Sequence, residues 1–304
     1  MTASEILVSV VVPVYNQADT IEETLGSVLN QTHKNIEVIV VDDGSEADIK
    51  TVIDKLEDKR ISFYRLTHKN ANVARNYGIQ RSKGKYIAML DADDIWKPEH
   101  LADSLVAMKE SAADGVYGSL ILKDADTEEE NVVMASKPNR GETMLNYLLR
   151  NGYGAQTSTL VLSAESVKDI LWNPELNRHQ DYDFVVRFSK KYKLAVKKKP
   201  TTFYILRSRS HEMDFHSCIK FIKANENDIE PINYYNYNSG MLRLALRLNA
   251  KPDIIKHYRR EATYYRELLP YIQYIQICRP ANKFERLVYK WRYLYYILRI
   301  KVEL

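Results

Sequence analysis

The sequence predicts an α/β fold in which a mostly parallel β-sheet is flanked by helices and followed by a helical extension. Three observations lead to this prediction. Short runs rich in Val and Ile alternate with helical patterns in the first part of the chain. Acidic residues directly follow two of these runs, where open α/β sheets bind ligands. The C-terminal stretch is basic, rich in tyrosine and helical in pattern.

Four short runs have the composition of buried parallel strands, and they cover residues 7–12, 36–41, 61–65 and 85–90. Helical patterns separate them, namely a stretch that opens at Asp19, residues 46–56 and residues 72–80. Glu22 stands three residues after Asp19, as in a capping box, and Ser45 is placed to cap the second helix. Strands that alternate with helices predict a parallel sheet with right-handed crossovers.

The end of the fourth strand is the most informative stretch of the chain. Asp91, Asp93 and Asp94 follow an apolar run, and no basic residue stands among them. Carboxylates that lie close together repel one another unless a cation lies between them, so the pattern indicates a divalent metal. Oxygen ligands of this kind suit Mg²⁺ or Mn²⁺, which commonly bridge one or two carboxylates to phosphates. The alternative is a polar loop whose acids are solvated.

Two further strand ends carry polar or ring-bearing residues. Asp42 and Asp43 end the second strand, and Gly44 after them permits a tight turn. Taken alone, these two acids could be turn and cap residues. The first strand ends in a segment whose backbone and ring could hold a flat base: Pro13, Val14, Tyr15 and Asn16. Because the carboxyl ends of parallel strands line one edge of a sheet, the three ends together predict a nucleotide site.

Five motifs occur in a fixed order: VPVYN at 12–16, VVDDGS at 40–45, ARNYGI at 74–79, GKYI at 84–87 and LDADD at 90–94. The ordered set resembles glycosyltransferase family 2, whose members are inverting sugar transferases of the GT-A fold. The resemblance covers roughly the first two-thirds of the chain. It implies an enzyme of the hexosyltransferase type, with the GT-A fold and a C-terminal helical extension.

The resemblance also implies roles for individual residues. Asp43 matches the acid that accepts a hydrogen bond from the uracil ring, and Pro13 and Tyr15 match the wall of the base pocket. Asp93 matches the ligand of the metal, Mn²⁺ or Mg²⁺, that holds the diphosphate and acts as a Lewis acid on the leaving UDP. The full set implied to bind the nucleotide-sugar is Pro13, Val14, Tyr15, Asn16, Asp43, Arg75, Asp91, Ala92 and His211.

Two of these residues have plain alternatives. Arg75 matches a family position near the nucleotide, but it could be an ordinary surface arginine at the start of a helix. His211 lies in a segment, residues 204–211, that resembles the basic segment closing over the diphosphate in relatives, with Arg207 or Arg209 assisting. The alternative for His211 is a solvated surface histidine.

Inverting sugar transfer needs a base that deprotonates the acceptor hydroxyl. The family supplies this base from a Glu-Asp pair that opens a later helix, and Asp181 takes that position here, with Gln180 in place of the usual Glu. The alternative is that an acid in a first helical turn only favours the helix dipole, which is our interpretation of Asp183. We therefore expect Asp181 to be the catalytic base.

Composition sets the remaining expectations. With 304 residues and 45% hydrophobic content, the chain can form one large domain, residues 1–215, and a smaller extension, residues 216–304. Two cysteines are too few for a disulfide framework or a zinc site, which favours a reducing cytoplasm. The early first strand predicts no signal peptide, and no window is apolar for long enough to span a bilayer.

The C-terminal stretch is strongly basic. Residues 241–304 hold 14 Lys plus Arg against five Asp plus Glu, a net +9, whereas the whole chain is +4 and the remainder therefore −5. Between Phe284 and Val302, an apolar stripe that includes Trp291 and Leu298 is flanked by basic residues. This pattern favours a helix lying on an anionic membrane surface. The alternative is a stripe packed on the catalytic domain or on a second subunit. Nucleic acid is a poorer partner because no recognised binding motif accompanies the charge.

These observations lead to one functional prediction. We expect an inverting glycosyltransferase that moves a sugar from a nucleotide donor, UDP-linked by resemblance, to a glycan or lipid-linked glycan in bacterial surface polysaccharide, such as lipopolysaccharide, capsule or exopolysaccharide. We expect it to work in the cytoplasm, peripheral on the inner face of the membrane. Two alternatives remain: a catalytically silent nucleotide-sugar-binding scaffold, and a metal-dependent nucleotidyltransferase.

Overall fold

The computed structural model describes residues 5–207 and 213–263. The strands are β1 (Val8–Val14), β2 (Ile36–Asp42), β3 (Ile61–Arg65), β4 (Tyr86–Met89), β5 (Ile95–Trp96), β6 (Gly115–Gly118), β7 (Leu120–Asp124), β8 (Glu130–Val133), β9 (Val161–Ser163), β10 (Leu194–Lys197) and β11 (Thr202–Leu206). The helices are α1 (Ile21–Leu29), α2 (Ile49–Asp54), α3 (Ala71–Arg81), α4 (His100–Ser111), α5 (Met144–Asn151), α6 (Ala164–Ile170), α7 (Gln180–Ser189), α8 (Phe215–Ala224) and α9 (Pro231–Arg247).

The main sheet has seven strands in the order β10-β6-β9-β4-β1-β2-β3. The four strands predicted from the sequence are neighbours in it and all pair in parallel. Strand β1 is buried along its whole length, as expected for a parallel strand covered by helices on both faces. Strand β9 is antiparallel to β4 and β6. The predicted mixed α/β architecture is confirmed.

A second sheet, in the order β5-β11-β7-β8, contains only short strands from the second part of the domain. Strand β5 comes directly after the acids that follow β4 and pairs antiparallel with β11. The loop that carries the acids is thus fixed at both ends, by β4 of the main sheet and by β5 of the second.

Two predicted helix caps are wrong. Helix α1 begins at Ile21 after the N-cap Thr20, whose side chain makes no cap hydrogen bond. The Thr20 hydroxyl instead donates to the carbonyl of Ala92, 2.8 Å away. Helix α2 is capped by Asp48, whereas the Ser45 hydroxyl donates to Asp42. At Ser45, the contact with Asp42 occupies the side chain that local sequence assigns to a cap, whereas α1 begins two residues after the predicted cap Asp19.

Backbone contacts divide the chain into two compact units, Met1–Lys223 and Ala224–Leu304. The predicted boundary after residue 215 stays a prediction. In the second unit, α9 is followed by a helical stretch at residues 252–263. His211 and the predicted amphipathic helix at 284–302 lie outside the described residues. Within residues 5–207 and 213–263, no helix combines the length and the apolar composition needed to cross a bilayer.

Candidate active site

The carboxyl ends of β1, β2 and β4 open on a cavity of about 460 Å³, here named the first cavity. Most of the residues implied to bind the nucleotide-sugar line it: Pro13, Val14, Tyr15, Asp43, Arg75, Asp91 and Ala92, together with Asp93. Asn16 is not among the lining residues. Its backbone N–H donates to the Ser45 hydroxyl, and its side-chain oxygen accepts from the N–H of Glu46, so Asn16 ties the first loop to the second.

The acids that end β2 have separate surroundings. Asp42 is fully buried and accepts from the N–H and the hydroxyl of Ser45, as a turn residue does. Asp43 is also buried but lines the first cavity, and it accepts from the N–H of Lys69 at 2.9 Å. The alternative of a turn residue therefore fits Asp42 and not Asp43.

His68 is a neighbour of Asp43 that sequence reasoning missed. Its Nδ1 lies 2.9 Å from the Asp43 carboxylate, and its ring stacks on Tyr15 with centroids 4.1 Å apart. Gly44 lets the two loops approach: its φ is +79°, and a Cβ there would lie 2.8 Å from the backbone nitrogen of His68. No motif in the sequence signals this contact, because it depends on the approach of two loops.

Arg75 is buried and joins the strand ends to helix α7. Its guanidinium donates to the side chains of Asp91 at 2.7 Å, Asn72 at 2.9 Å and Gln180 at 2.8 Å. It also lies over the ring of Trp172, 4.7 Å from the centroid. The interpretation as an ordinary surface arginine is therefore wrong.

The three acids after β4 do not form an uncompensated cluster. Asp91 is paired with Arg75, so a basic residue absent from the local sequence neutralises it in space. Asp94 is buried and accepts from the hydroxyl of Ser158 at 2.5 Å and from the N–H of Ile205 at 3.2 Å. Burial, followed by the charges of Asp91 and Asp93, raises the pKa of Asp94 well above its usual value. Asp93 is half-buried and lines the first cavity.

Hydroxyl groups on one face of helix α1 bind the backbone of the loop between β4 and β5, residues 90–94, here named the acid loop. The Thr20 hydroxyl donates to the carbonyl of Ala92, and the Thr24 hydroxyl donates to the carbonyl of Asp94 at 3.0 Å. The Ser27 hydroxyl accepts from the N–H of Trp96 at 3.2 Å. Residues spaced by four and three share a helix face, which explains why three hydroxyls follow the loop in order.

Asp181 lies in the first turn of α7 and lines a second cavity of about 400 Å³. Burial raises the pKa of Asp181 to about 6, against the opposing effects of a hydrogen bond from the N–H of Tyr182 and the charge of Arg75. Asp183 has a different environment, because it pairs with Arg187 at 2.7 Å. Arg187 also donates to the carbonyls of Ile170 and Leu171, so Asp183 belongs to a structural network.

The first and second cavities share one wall, made of Arg75, Asp91, Asn177, Arg178, Gln180 and Tyr204. The far side of the second cavity contains the aromatic residues Tyr153 and Tyr182. The rings of Tyr153 and Tyr204 lie 5.8 Å apart, and Tyr153 is 43% exposed. Sequence reasoning missed Tyr153, which follows α5 in a loop without a motif.

Comparisons with known proteins identify the family of the chain. The family model described as "Glycosyl transferase family 2" matches residues 9–171, more than half of the chain. The amylovoran biosynthesis glycosyltransferase AmsB of Erwinia amylovora is 30% identical over 81% of this chain and 87% of its own length. WfaP of Escherichia coli, a UDP-Glc:alpha-D-GlcNAc-diphosphoundecaprenol beta-1,3-glucosyltransferase, is 35% identical over 54% of this chain and 63% of its own.

Solved structures show the same fold. S. aureus TarS 1–349 in complex with UDP aligns with a TM-score of 0.58 at 19% identity, covering 86% of this chain and 92% of TarS. The mannosyltransferase PcManGT from Pyrobaculum calidifontis in complex with GDP-Man and Mn²⁺ aligns with a TM-score of 0.53 at 14% identity, covering 91% and 76% of the two chains. The predicted GT-A fold is thereby confirmed. The chain is a glycosyltransferase that belongs to glycosyltransferase family 2.

Proposed function

We propose that this enzyme transfers a sugar, with inversion, from a UDP-linked donor to a hydroxyl group of a glycan or lipid-linked glycan. One observation carries the proposal: two cavities share a wall, with the carboxyl ends of β1, β2 and β4 at the first and Asp181 at the second. A donor and an acceptor held in the two cavities would meet at that wall.

The first cavity suits a uridine diphosphate. The buried carboxylate of Asp43 can accept from the ring N–H of uracil, and Tyr15 offers an aromatic face. His68 covers one face of the Tyr15 ring, so the base would stack on the other face or take the place of His68. The name of the relative WfaP, which gives UDP-Glc as its donor, supports a uridine donor.

The donor set fits a divalent metal that arrives with the substrate. Asp93 and Asp91 supply hard oxygen donors to the first cavity. No group of three or more metal-binding side chains occurs among residues 5–207 and 213–263, which agrees with Mg²⁺ or Mn²⁺ held by one or two carboxylates plus substrate phosphates. When bound, such an ion stabilises the charge that develops on the departing diphosphate. Asp93, at the motif position of the family's metal ligand, would hold it, and Asp91, paired with Arg75, lies beside it in the same cavity.

Asp181 supplies the base for the transfer step. Its carboxylate would accept the proton of the acceptor hydroxyl as the oxygen attacks the anomeric carbon from the face opposite UDP. The bond between that carbon and the phosphate oxygen breaks, and its electron pair leaves with UDP. Attack from the opposite face inverts the configuration. A pKa near 6 leaves Asp181 largely ionised at neutral pH while keeping it more basic than a solvated aspartate.

We infer a role in bacterial surface polysaccharide synthesis from the names of the relatives. AmsB is named for amylovoran biosynthesis, and WfaP for transfer to a lipid-linked sugar. A lipid-linked acceptor would require the enzyme at the cytoplasmic face of a membrane. The basic amphipathic stretch between Phe284 and Val302 is our candidate for that contact. Flotation with anionic vesicles tests this contact. The intact chain should float with the vesicles, and salt should release it. Absence of binding to the vesicles would refute the membrane role.

The donor is tested by thermal shift across UDP-Glc, UDP-Gal, UDP-GlcNAc and GDP-Man, each with Mn²⁺. A ligand that binds only the native state at 100 times its Kd raises the free energy of unfolding by about 2.7 kcal/mol. A UDP-sugar that stabilises the protein should then be hydrolysed slowly, with release of UDP. Stabilisation by GDP-Man alone would show that the donor is a GDP-sugar and not a UDP-sugar. Absence of stabilisation by any of the four would refute the proposed function.

A further inference from the structure

Arg178 lies on the shared wall of the two cavities, two residues before the start of α7. Its backbone is fixed by helix α8, because the N–H of Arg178 donates to the hydroxyl of Ser217 at 3.0 Å and that hydroxyl lies 3.3 Å from the Arg178 carbonyl. The neighbouring Asn177 is held in the same way, through Ser217 and Asp214. The position of residue 178 therefore does not depend on its own side chain.

The guanidinium of Arg178 has no hydrogen-bond or ion-pair partner among the described residues. The other arginines near the site do have partners: Arg75 binds three side chains, and Arg187 binds Asp183 and two carbonyls. Arg178 is nevertheless half-buried, so it has lost part of its hydration. A partly desolvated cation is normally compensated by an anion. The missing anion is expected to come from a ligand.

The surroundings of Arg178 favour the acceptor over the donor. The second cavity is lined by the unbroken run from Asn177 to Tyr182, and Asp181 stands only three residues from Arg178 in that run. Burial lowers the pKa of His179 to about 4, and the charge of Arg178 contributes to this shift. At neutral pH His179 is therefore uncharged and does not compete with Arg178 for an anion. Tyr153, with 43% of its surface exposed, offers a face for a sugar ring in the same cavity.

We infer that Arg178 makes the enzyme selective for acceptors that carry a negative charge, a phosphate or a carboxylate, next to the sugar hydroxyl that Asp181 deprotonates. The inference rests on the proposed function, since it takes the second cavity as the acceptor site. The sugar ring lies against Tyr153, the reacting hydroxyl faces Asp181, and the anionic group pairs with Arg178. A neutral acceptor leaves the guanidinium without a partner and binds more weakly.

The test uses the full chain saturated with UDP and Mn²⁺, so that the donor cavity is filled. Calorimetry then compares two pairs of probes below their micellar concentrations: octyl glucuronide against octyl glucoside, and geranyl diphosphate against geraniol. In the first pair a carboxylate replaces the hydroxymethyl group of the sugar, and in the second a diphosphate ester replaces the free hydroxyl of the alcohol. Wild type should bind at least one charged probe more tightly than its neutral partner, and the pair that responds identifies the anion.

Arg178→Met should weaken binding of that charged probe by roughly 10- to 100-fold, the usual worth of a charge-assisted hydrogen bond, and leave the neutral probe unchanged. Arg140→Met, which removes an exposed arginine outside both cavities, should change neither. Equal binding of charged and neutral probes, or an Arg178 variant with unchanged affinity, overturns the inference. Loss of UDP affinity in Arg178→Met would assign this residue to the donor instead. Absence of UDP binding in wild type would be a failure of the proposed function itself.

Discussion

Replacement of Asp181 by Asn should slow sugar transfer and at the same time stabilise the fold. Asn keeps the shape of the side chain and still accepts from the N–H of Tyr182. It cannot accept a proton from the acceptor, so transfer should fall by roughly two to four orders of magnitude. The wild-type rate should rise with pH through the pKa of Asp181, about 6, and reach a plateau above neutrality. The variant should lack that rise.

The stability effect follows from the same pKa. Burial raises the pKa of Asp181 from 3.8 to about 6, so the folded protein holds this proton more tightly than the unfolded chain. The contribution of Asp181 to the free energy of unfolding therefore falls as pH rises from about 4 to 6 and is constant above that range. At 1.36 kcal/mol per pKa unit, the ionised group costs about 3 kcal/mol at pH 7.5 and about half of that at pH 5. Asn carries no such cost.

Urea denaturation of both proteins at pH 5 and pH 7.5 measures this difference. Asp181→Asn should be more stable than wild type at both pH values, with a gain roughly 1–2 kcal/mol larger at pH 7.5. Asp183→Asn is the matched control: it breaks the pair with Arg187, so it should lower stability and leave the pH profile of transfer intact. An Asp181 variant that transfers at the wild-type rate, or whose gain in stability is the same at both pH values, would refute the assignment.

Three further predictions concern other residues. Asp93→Ala should abolish transfer that depends on Mn²⁺ or Mg²⁺. The control Asp54→Ala, which removes one partner of an exposed ion pair with Lys50, should not. Activity of Asp93→Ala in the presence of EDTA would exclude the metal role of Asp93. Asp43→Ala should weaken UDP binding by roughly 10- to 100-fold in calorimetry and leave the circular dichroism spectrum unchanged; equal affinity would remove Asp43 from the base pocket. Burial lowers the pKa of Lys197 to about 7, so above pH 7 the folded protein loses this proton while the unfolded chain keeps it up to about pH 10, and the free energy of unfolding rises with pH. Lys197→Met should lose most of that gain, about 2 kcal/mol between pH 7 and 9 in urea denaturation, and an unchanged slope would contradict it.

The parallel part of the fold could be predicted from the sequence because its central strands β1 and β2 are buried on both faces. Runs of Val and Ile then identify each of these strands to within two residues. Strands β5 and β9 contain two and three residues and pair with distant segments, so no local pattern identifies them. The cap predicted at Ser45 failed for a related reason, since a hydroxyl that can cap a helix can equally bind a neighbouring loop.

The site could be predicted only where each residue belongs to a motif. The motifs brought Asp43, Asp93 and Asp181 to the cavities. The charge argument for the acid loop was wrong in one premise, because Arg75, sixteen residues earlier, neutralises Asp91. His68 acts through a contact between two loops, and such contacts leave no periodicity in a sequence.

The hydroxyls on α1 have a consequence for donor affinity. Thr20, Thr24 and Ser27 bind the backbone of the acid loop, so that loop takes its shape when the chain folds and not when the donor arrives. Ordering a residue's backbone costs about 1–2 kcal/mol in conformational entropy, and a loop already ordered leaves that cost out of the binding reaction. Three small side chains on one face of a helix, none of which lines the first cavity, thereby preorganise the acids for the proposed metal and diphosphate.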